Sequence, residues 1–288
     1  MNNKFIVEKK DLLINFLREK LSNKSKNNIK SLLSKEMVLV NNKIQTKYNF
    51  IVFENDIVEI RETKIKNNKY NRDIKIIYED KDIIIVNKPA GLLSIATNKE
   101  KEYTLYHFVL NYIKEKDKHN RIFIIHRLDK ETSGLVMFAK NEKTKFLFQR
   151  NWDKIALKRC YYAVVEGNMI EKEKTIKSYL KENDNYIVSE TKDRKNGKLA
   201  ITKYEVIKEN KNYSLLNIEI KTGRKNQIRV ALKNNGNPII GDKKYGSRVD
   251  PIKRMALHAY LLKIKDPRNN QLLEFKIDLP YAFSKLLK

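Results

Sequence analysis

The sequence predicts an α+β protein in two parts: a small N-terminal α/β module, then a larger domain built on a mixed, largely antiparallel sheet. Three observations predict it. Residues 11–60 read as two helices followed by strands. A polar, charged stretch without periodicity comes next. From Ile76 onward, strand-like and helical runs mix without the regular βαβ alternation of a parallel sheet. The 288 residues suffice for two cores. The boundaries fall at 1–62 for the module, 63–75 for a linker and 76–288 for the larger domain.

In chain order, Asp11 is placed to cap a helix whose apolar positions, Leu12, Leu13, Phe16, Leu17 and Leu21, keep a helical period. Ser25 is placed to cap a second helix, with Ile29, Leu32 and Leu33 turned inward. Arg18, Lys20, Lys24, Lys26, Lys30 and Lys35 surround these faces. Val38–Val40 reads as a strand that turns at Asn41-Asn42, a pair that tolerates the left-handed conformation. Ile57–Ile60 closes the module as a strand. The tract RETKIKNNKYNRDIK has the composition of a linker.

In the second part, Ile76–Tyr78 and Ile83–Val86 are strand-like and lead to a turn at Lys88-Pro89-Ala90-Gly91. A helix covers Thr104–Lys116 with Leu105, Phe108, Val109, Tyr112 and Ile113 inward. Another follows Asn141, which serves as its cap, and carries Phe148 and Trp152. Cys160–Glu166 and Tyr213–Ile220 are strands. On a strand, Tyr161 and Tyr162 face opposite sides, so one of them belongs to the core.

The formal charge is +26, from 61 Lys and Arg against 35 Asp and Glu. Such an excess is the electrostatic footprint of a polyanion binder, nucleic acid or anionic membrane surface, although an AT-rich genome also enriches Lys, Asn and Ile. Cys160 is the only cysteine, which excludes an intrachain disulfide and a thiolate metal cage. Histidines 107, 119, 126 and 258 lack metal-ligand spacing. The charged N-terminus has no signal-peptide core, and no apolar run reaches the roughly 20 residues of a membrane span. The expectation is a soluble cytoplasmic protein without metal.

One segment carries chemistry. In HRLDKETSGLVMFAK, residues 126–140, Asp129 stands between Arg127 and Lys130 and ahead of a Thr-Ser-Gly turn. Apolar runs at Phe123–Ile125 and Leu135–Ala139 flank it. On spacing alone such an Asp is more often a turn former, because its oxygen bonds the nearby backbone.

The context shifts that reading. The segment resembles the RluA-type pseudouridine synthases, whose pattern HRLDxxTSGxxxxAK is met at every fixed position. The resemblance continues in order through NKPAGLL (87–93), YYAVVEG (161–167), TGRKNQIRVAL (222–232), NPIIGDKKYG (237–246) and LHAYLL (257–262), covering most of residues 76–288. The order of elements before it, with VLVNNKI matching a "VxVNxK" hairpin, resembles the small S-four-type RNA-binding module. This implies a pseudouridine synthase fold with a central cleft and an appended RNA-binding domain. It also implies isomerisation of uridine to pseudouridine in structured RNA, without cofactor.

By the resemblance Asp129, Tyr161 and Arg229 are the catalytic residues, and Arg127, His126, Arg224 and Lys30 contact substrate or RNA. The chemistry agrees. The detached uracil is a delocalised anion that returns through its own C5, so one carboxylate suffices where a glycosidase needs two. Two roles are open to Asp129: attack on C1′, or removal of the 2′ proton. A guanidinium nearby steadies a carboxylate. Tyr161 offers a ring to the flipped base and a hydroxyl, or an attached water, to the C5 proton. Arg127 can fill the stack vacated by the extruded nucleotide, or clamp a phosphate. Arg224 shapes its loop or contacts RNA backbone, and the helix start after it offers N–H groups to phosphate.

Where many members read TGRxHQIRVHL, this chain has Asn226 and Ala231. That departure bears on packing and target contacts more than on catalysis. Large-subunit ribosomal RNA is the expected partner, transfer RNA the alternative, and a monomer the expected state. A non-catalytic RNA-binding or ribosome-assembly factor on the same scaffold is the competing reading. A metal-dependent nuclease is disfavoured, since no carboxylate pair or histidine cluster accompanies Asp129.

Overall fold

The structure is a computed structural model and describes residues 3–41, 43–60, 74–97, 100 and 103–288. Its contacts divide the chain into two compact units, Met1–Asn68 and Lys69–Lys288. The linker expected at 63–75 lies outside the described residues up to 73. Its end is corrected: Lys75 already belongs to the strand Lys75–Glu79 and pairs with Asn87.

In the first unit, helices Leu13–Lys20 and Lys26–Ser34 pack over a four-stranded sheet. Leu13, Phe16, Leu17, Ile29 and Leu33 meet Val38, Val40 and Val58 in one core. Ser25 caps the second helix, its Oγ accepting from Asn28 N–H at 3.2 Å. The expected Asp11 cap is not made. Asp11 instead sits in the short strand Asp11–Leu12, where its carboxylate accepts from the Leu12 amide and the Asn15 side chain, and the helix starts uncapped. Asn41 takes the left-handed conformation at the hairpin, with φ 49°.

The second unit is organised by one large sheet. Nine of its strands run in the order Val188–Glu190, Glu173–Glu182, Lys198–Glu209, Tyr213–Ile220, Ala156–Glu166, Leu257–Lys265, Ser133–Ala139, Ile83–Lys88 and Lys75–Glu79. All neighbours are antiparallel except Leu257–Lys265 with Ser133–Ala139. That parallel contact needs glycine. Gly134 lies at φ +120°, and a Cβ there would come within 2.1 Å of the Ala259 carbonyl oxygen.

The two strands Ile83–Lys88 and Ser133–Ala139 are covered on both faces, which explains their continuous apolar runs. Ile84, Val86, Val136 and Phe138 pack against the helix Leu105–Lys116, while Ile83, Ile85, Leu135 and Met137 pack toward Phe148. Thr104 and Asn141 cap the helices that follow them, accepting from His107 N–H and Thr144 N–H. Trp152 departs from expectation: the helix after Asn141 ends at Arg150, and Trp152 begins a separate turn, Trp152–Ile155.

The strand Ala156–Glu166 lies mid-sheet. Its pairing with Tyr213–Ile220 is regular, whereas its register against Leu257–Lys265 shifts between Cys160 and Tyr161. Tyr161 and Tyr162 therefore take opposite faces. Tyr162 stacks on Tyr260 at 3.8 Å, and Tyr161 faces a cleft.

Candidate active site

Asp129 is presented by the loop between the strands Phe123–Ile124 and Ser133–Ala139. The loop is held from behind. Lys88 is wholly buried, and its Nζ donates to the carbonyls of Pro89, Leu92 and Lys130 at 3.1, 2.6 and 2.9 Å. Burial pushes this ammonium down to about 7, yet only the charged form has a proton for each of three carbonyls. Ser94 exchanges hydrogen bonds with the backbone of Leu128. The Asp129 side chain remains 32% exposed in a cavity of about 430 Å³.

Arg229 reaches it from the helix Gln227–Asn234, with Nη1 3.3 Å from Asp129 Oδ2. The guanidinium is fixed by groups other than Asp129. Asp242, with a side chain only 1% exposed, accepts from both Nε and Nη2 at 2.7 Å. Asn226 Oδ1 accepts from Nη1 at 3.1 Å, and the Tyr245 ring lies 4.7 Å from the cation. Burial works against this charge, but Asp242 and then Asp129 outweigh it and hold Arg229 above its ordinary value. The result is a cation aimed at the Asp129 oxygen with almost no rotational freedom.

Tyr161 lines the same cavity. Burial pushes its hydroxyl up to about 12, with Asp129 adding to the shift and Arg159 opposing it. It is therefore a neutral phenol, able to donate. Arg127 is exposed at the cavity wall and makes no hydrogen bond or ion pair among the described residues. His126 also lines the wall, but its Nε2 accepts from Met137 N–H at 3.2 Å and its ring stacks on Trp152 at 4.8 Å. Burial, reinforced by the charge of Arg159, lowers it to about 3, so it is a neutral ring.

Arg224 shapes its loop: its Nε donates to the Leu199 carbonyl, and its own amide donates to Gln227 Oε1. The first helical amide, Gln227 N–H, is taken by the Arg224 carbonyl, so it does not serve a phosphate as the sequence suggested. A second hollow of about 510 Å³ shares Gly223, Arg224 and Lys225 with the first and is also lined by Lys181 and Lys198. Asp129, Tyr161, Arg229, Arg127, His126 and Arg224 thus meet in one cavity. Lys30 belongs to the first unit, exposed on the second helix and 5.3 Å from the Tyr48 ring.

Sequence reasoning missed Asp242, Tyr245 and Arg159, and it read Asn226 only as a departure bearing on packing and target contacts. The motif NPIIGDKKYG was visible, but a motif does not say which of its residues reaches the site. Asn226 replaces a family histidine and does two jobs. Its Nδ2 donates to the Tyr245 hydroxyl while its Oδ1 holds Arg229, and its backbone is left-handed at φ 54°, which asparagine tolerates. Arg159 is buried at the cavity with Nη2 on the Lys221 carbonyl and Nε unpartnered. Among the described residues, no group of three or more His, Cys, Asp or Glu side chains is placed to hold a metal ion.

Comparison with known proteins gives a consistent picture. Residues 82–234 match the family model described as RNA pseudouridylate synthase. The chain is 31% identical to a ribosomal large subunit pseudouridine synthase D of Haemophilus ducreyi, over 92% of this chain and 86% of that protein. It is 37% identical to the protein of the same name in Borreliella burgdorferi, over 74% of this chain and 67% of the relative. Among solved structures, human RNA pseudouridylate synthase domain containing 1 shares the fold. Its TM-score is 0.62 at 23% identity, over 76% of this chain and 88% of that one.

Proposed function

The chain belongs to the RNA pseudouridylate synthase family, and from that premise we propose that it converts a uridine of large-subunit ribosomal RNA to pseudouridine with Asp129 as the reacting carboxylate. The observation that carries the reading is the Asp129–Arg229 contact at 3.3 Å inside an open cavity. The reaction is an isomerisation and balances within the nucleotide. The N1–C1′ bond breaks, the uracil turns, a C5–C1′ bond forms, C5 loses a proton and N1 gains one. Neither oxidant nor second substrate is needed.

Asp129 acts at the sugar, either on C1′ or on the 2′ proton, and the clamped Arg229 offsets the charge that moves there without reorganising. Tyr161 supplies the ring on which the base turns. Being a neutral phenol, its hydroxyl passes the C5 proton on only as a relay, accepting one proton while releasing its own to water. Arg127, which makes no hydrogen bond or ion pair among the described residues, fills the gap left in the RNA stack. Arg224, Lys181 and Lys198 extend a basic path from the cavity for flanking phosphates, beside Lys225, which is paired with Glu182.

The first unit serves as an S-four-type RNA-capture module, with Lys30 on its RNA face. Its support is the helix–helix–strand order and the Asn41 hairpin, since the family match begins only at residue 82. The ribosomal target rests on the names of the relatives, and an enzyme acting on ribosomal RNA works in the cytoplasm, here as a monomer.

Carbodiimide mapping of pseudouridine in ribosomal and transfer RNA from a deletion strain, complemented with wild type or Asp129→Asn, tests the proposal. A large-subunit site lost on deletion should return with wild type only. Return with both variants would remove Asp129 from the chemistry. Loss confined to transfer RNA would overturn the ribosomal target, and no loss anywhere would leave an RNA-binding factor.

A further inference from the structure

A third hollow, of about 470 Å³, lies across the sheet from the cleft. Strand parity puts it there. Tyr161 pairs with Ala259 and Tyr162 with His258, so Tyr161 and His258 project from opposite faces. Its lining is strongly cationic: Lys75, Lys88, Arg254 and Lys276 stand against a single exposed carboxylate, Asp278.

A chain of hydrogen bonds leads into it. Arg254 Nη2 donates to Ser133 Oγ at 2.6 Å, and Ser133 Oγ lies 2.8 Å from His258 Nδ1 and 3.5 Å from the Leu257 carbonyl. A hydroxyl has one proton; given to the nearer acceptor, Nδ1, rather than to the Leu257 carbonyl, it places the His258 proton on Nε2. His258 is only 3% exposed, yet Nε2 has no hydrogen-bond partner. Burial, then the neighbouring Arg254 charge, lowers this imidazole to about 4, against a weaker pull from the Asp278 backbone, so it stays a neutral N–H donor.

Arg254 is equally short of a counter-charge. Its nitrogens reach Ser133 and the Met255 and Leu257 carbonyls, and it makes no ion pair among the described residues. Burial pushes it down to about 10, with the charge of Glu131 opposing. Lys88 adds charge to the wall, but its three protons are already committed to carbonyls. A half-buried cation without an ion pair among the described residues, beside a buried imidazole nitrogen without a hydrogen-bond partner, is what an oxyanion completes.

We propose that this hollow is a phosphoryl-binding site, with His258 Nε2–H and Arg254 as inner donors and Lys75 and Lys276 at its mouth. The ligand is a phosphate oxyanion, carried either by an RNA backbone or by a small phosphate ester. The site is separate from the catalytic cleft and does not depend on the target assigned above.

Nitrogen-15 NMR of the histidine side chains in the full-length protein provides the test, with His258 assigned by its loss in His258→Asn. Titration with inorganic phosphate should shift the His258 Nε2 resonance. In the double variant Lys75→Glu/Lys276→Glu, whose exposed side chains leave folding intact, the half-saturating phosphate concentration should rise about tenfold or more. Arg254→Met should abolish the shift. Should that variant fold poorly, the double variant decides. A His258 resonance unmoved by phosphate, or an equal response in the double variant, overturns the site. Competition by a uridine-free oligoribonucleotide identifies the source as RNA backbone; saturable phosphate binding without such competition identifies a small phosphate ester.

Discussion

The Asp129–Arg229 pair depends on a residue that does not line its cavity. Asp242 is buried and takes two of the Arg229 nitrogens, so it decides where the guanidinium points. Asp129→Asn should lower uridine conversion by at least about a thousandfold while RNA affinity stays close to wild type, read by single-turnover assay and filter binding. Asp242→Asn should slow turnover and also cost about 3–5 kcal/mol of stability, since it leaves a buried cation half paired; urea denaturation measures the second effect. An unchanged urea midpoint would contradict the clamp. His126 and His258, lowered to about 3 and about 4 from 6.5, give a pH dependence whose sign is fixed. The unfolded chain binds their protons below about 6.5 and the folded chain refuses them. Stability present above that pH is lost progressively as pH falls toward 4 and then 3. Denaturation midpoints at about pH 7 and about pH 5 check this, the lower pH giving the lower midpoint. Asp129, Tyr161 and Arg229 could be gathered into one candidate site because each stands in a long motif, and all three line one cavity. Asp242 was not, because its partner lies 13 positions away and only the tertiary fold joins them.

At the level of elements, local chemistry was readable wherever it was local. Ser25, Thr104 and Asn141 cap the helices that follow them, as their side chains suggest. Asp11 failed as a cap because the strand Asp11–Leu12 pairs with Ile51–Val52 and claims that backbone first. The strands Glu173–Glu182 and Lys198–Glu209 went unread, since lysines and glutamates at alternate exposed positions hide a period of two among so many charges. Ser25→Ala should cost about 1 kcal/mol, visible in the melting of the first unit. Gly134→Ala is a harsher change. The new methyl group would meet the Ala259 carbonyl at 2.1 Å, so the parallel join between Ser133–Ala139 and Leu257–Lys265 cannot close. Loss of soluble, cooperatively folding protein is the expected result, and a wild-type melting curve would contradict it.

Over the whole molecule, the charge of +26 supplies attraction to RNA that carries no sequence information. Affinity should fall steeply with salt, by on the order of a hundredfold or more between about 50 and about 200 mM, whereas single-turnover rates at saturating RNA should barely move. Lys26→Glu/Lys30→Glu, on exposed positions of the second helix, should weaken RNA binding and leave that saturated rate intact. A lower saturated rate would mean that these lysines do more than capture RNA. Composition made the polyanion preference legible. The placement of the cations was not, because pairing lysines with particular hollows requires the order of nine strands.

The shift of register beside Tyr161 constrains how such a chain can evolve. One flank of the strand counts residues without interruption, while the other skips a beat between Cys160 and Tyr161. Dropping a single codon just upstream would exchange the two neighbouring tyrosines, sending Tyr162 toward the cavity and Tyr161 against Tyr260. Lineages can therefore alter this stretch by replacement, whereas a change of length would put the wrong ring in the chamber that holds Asp129.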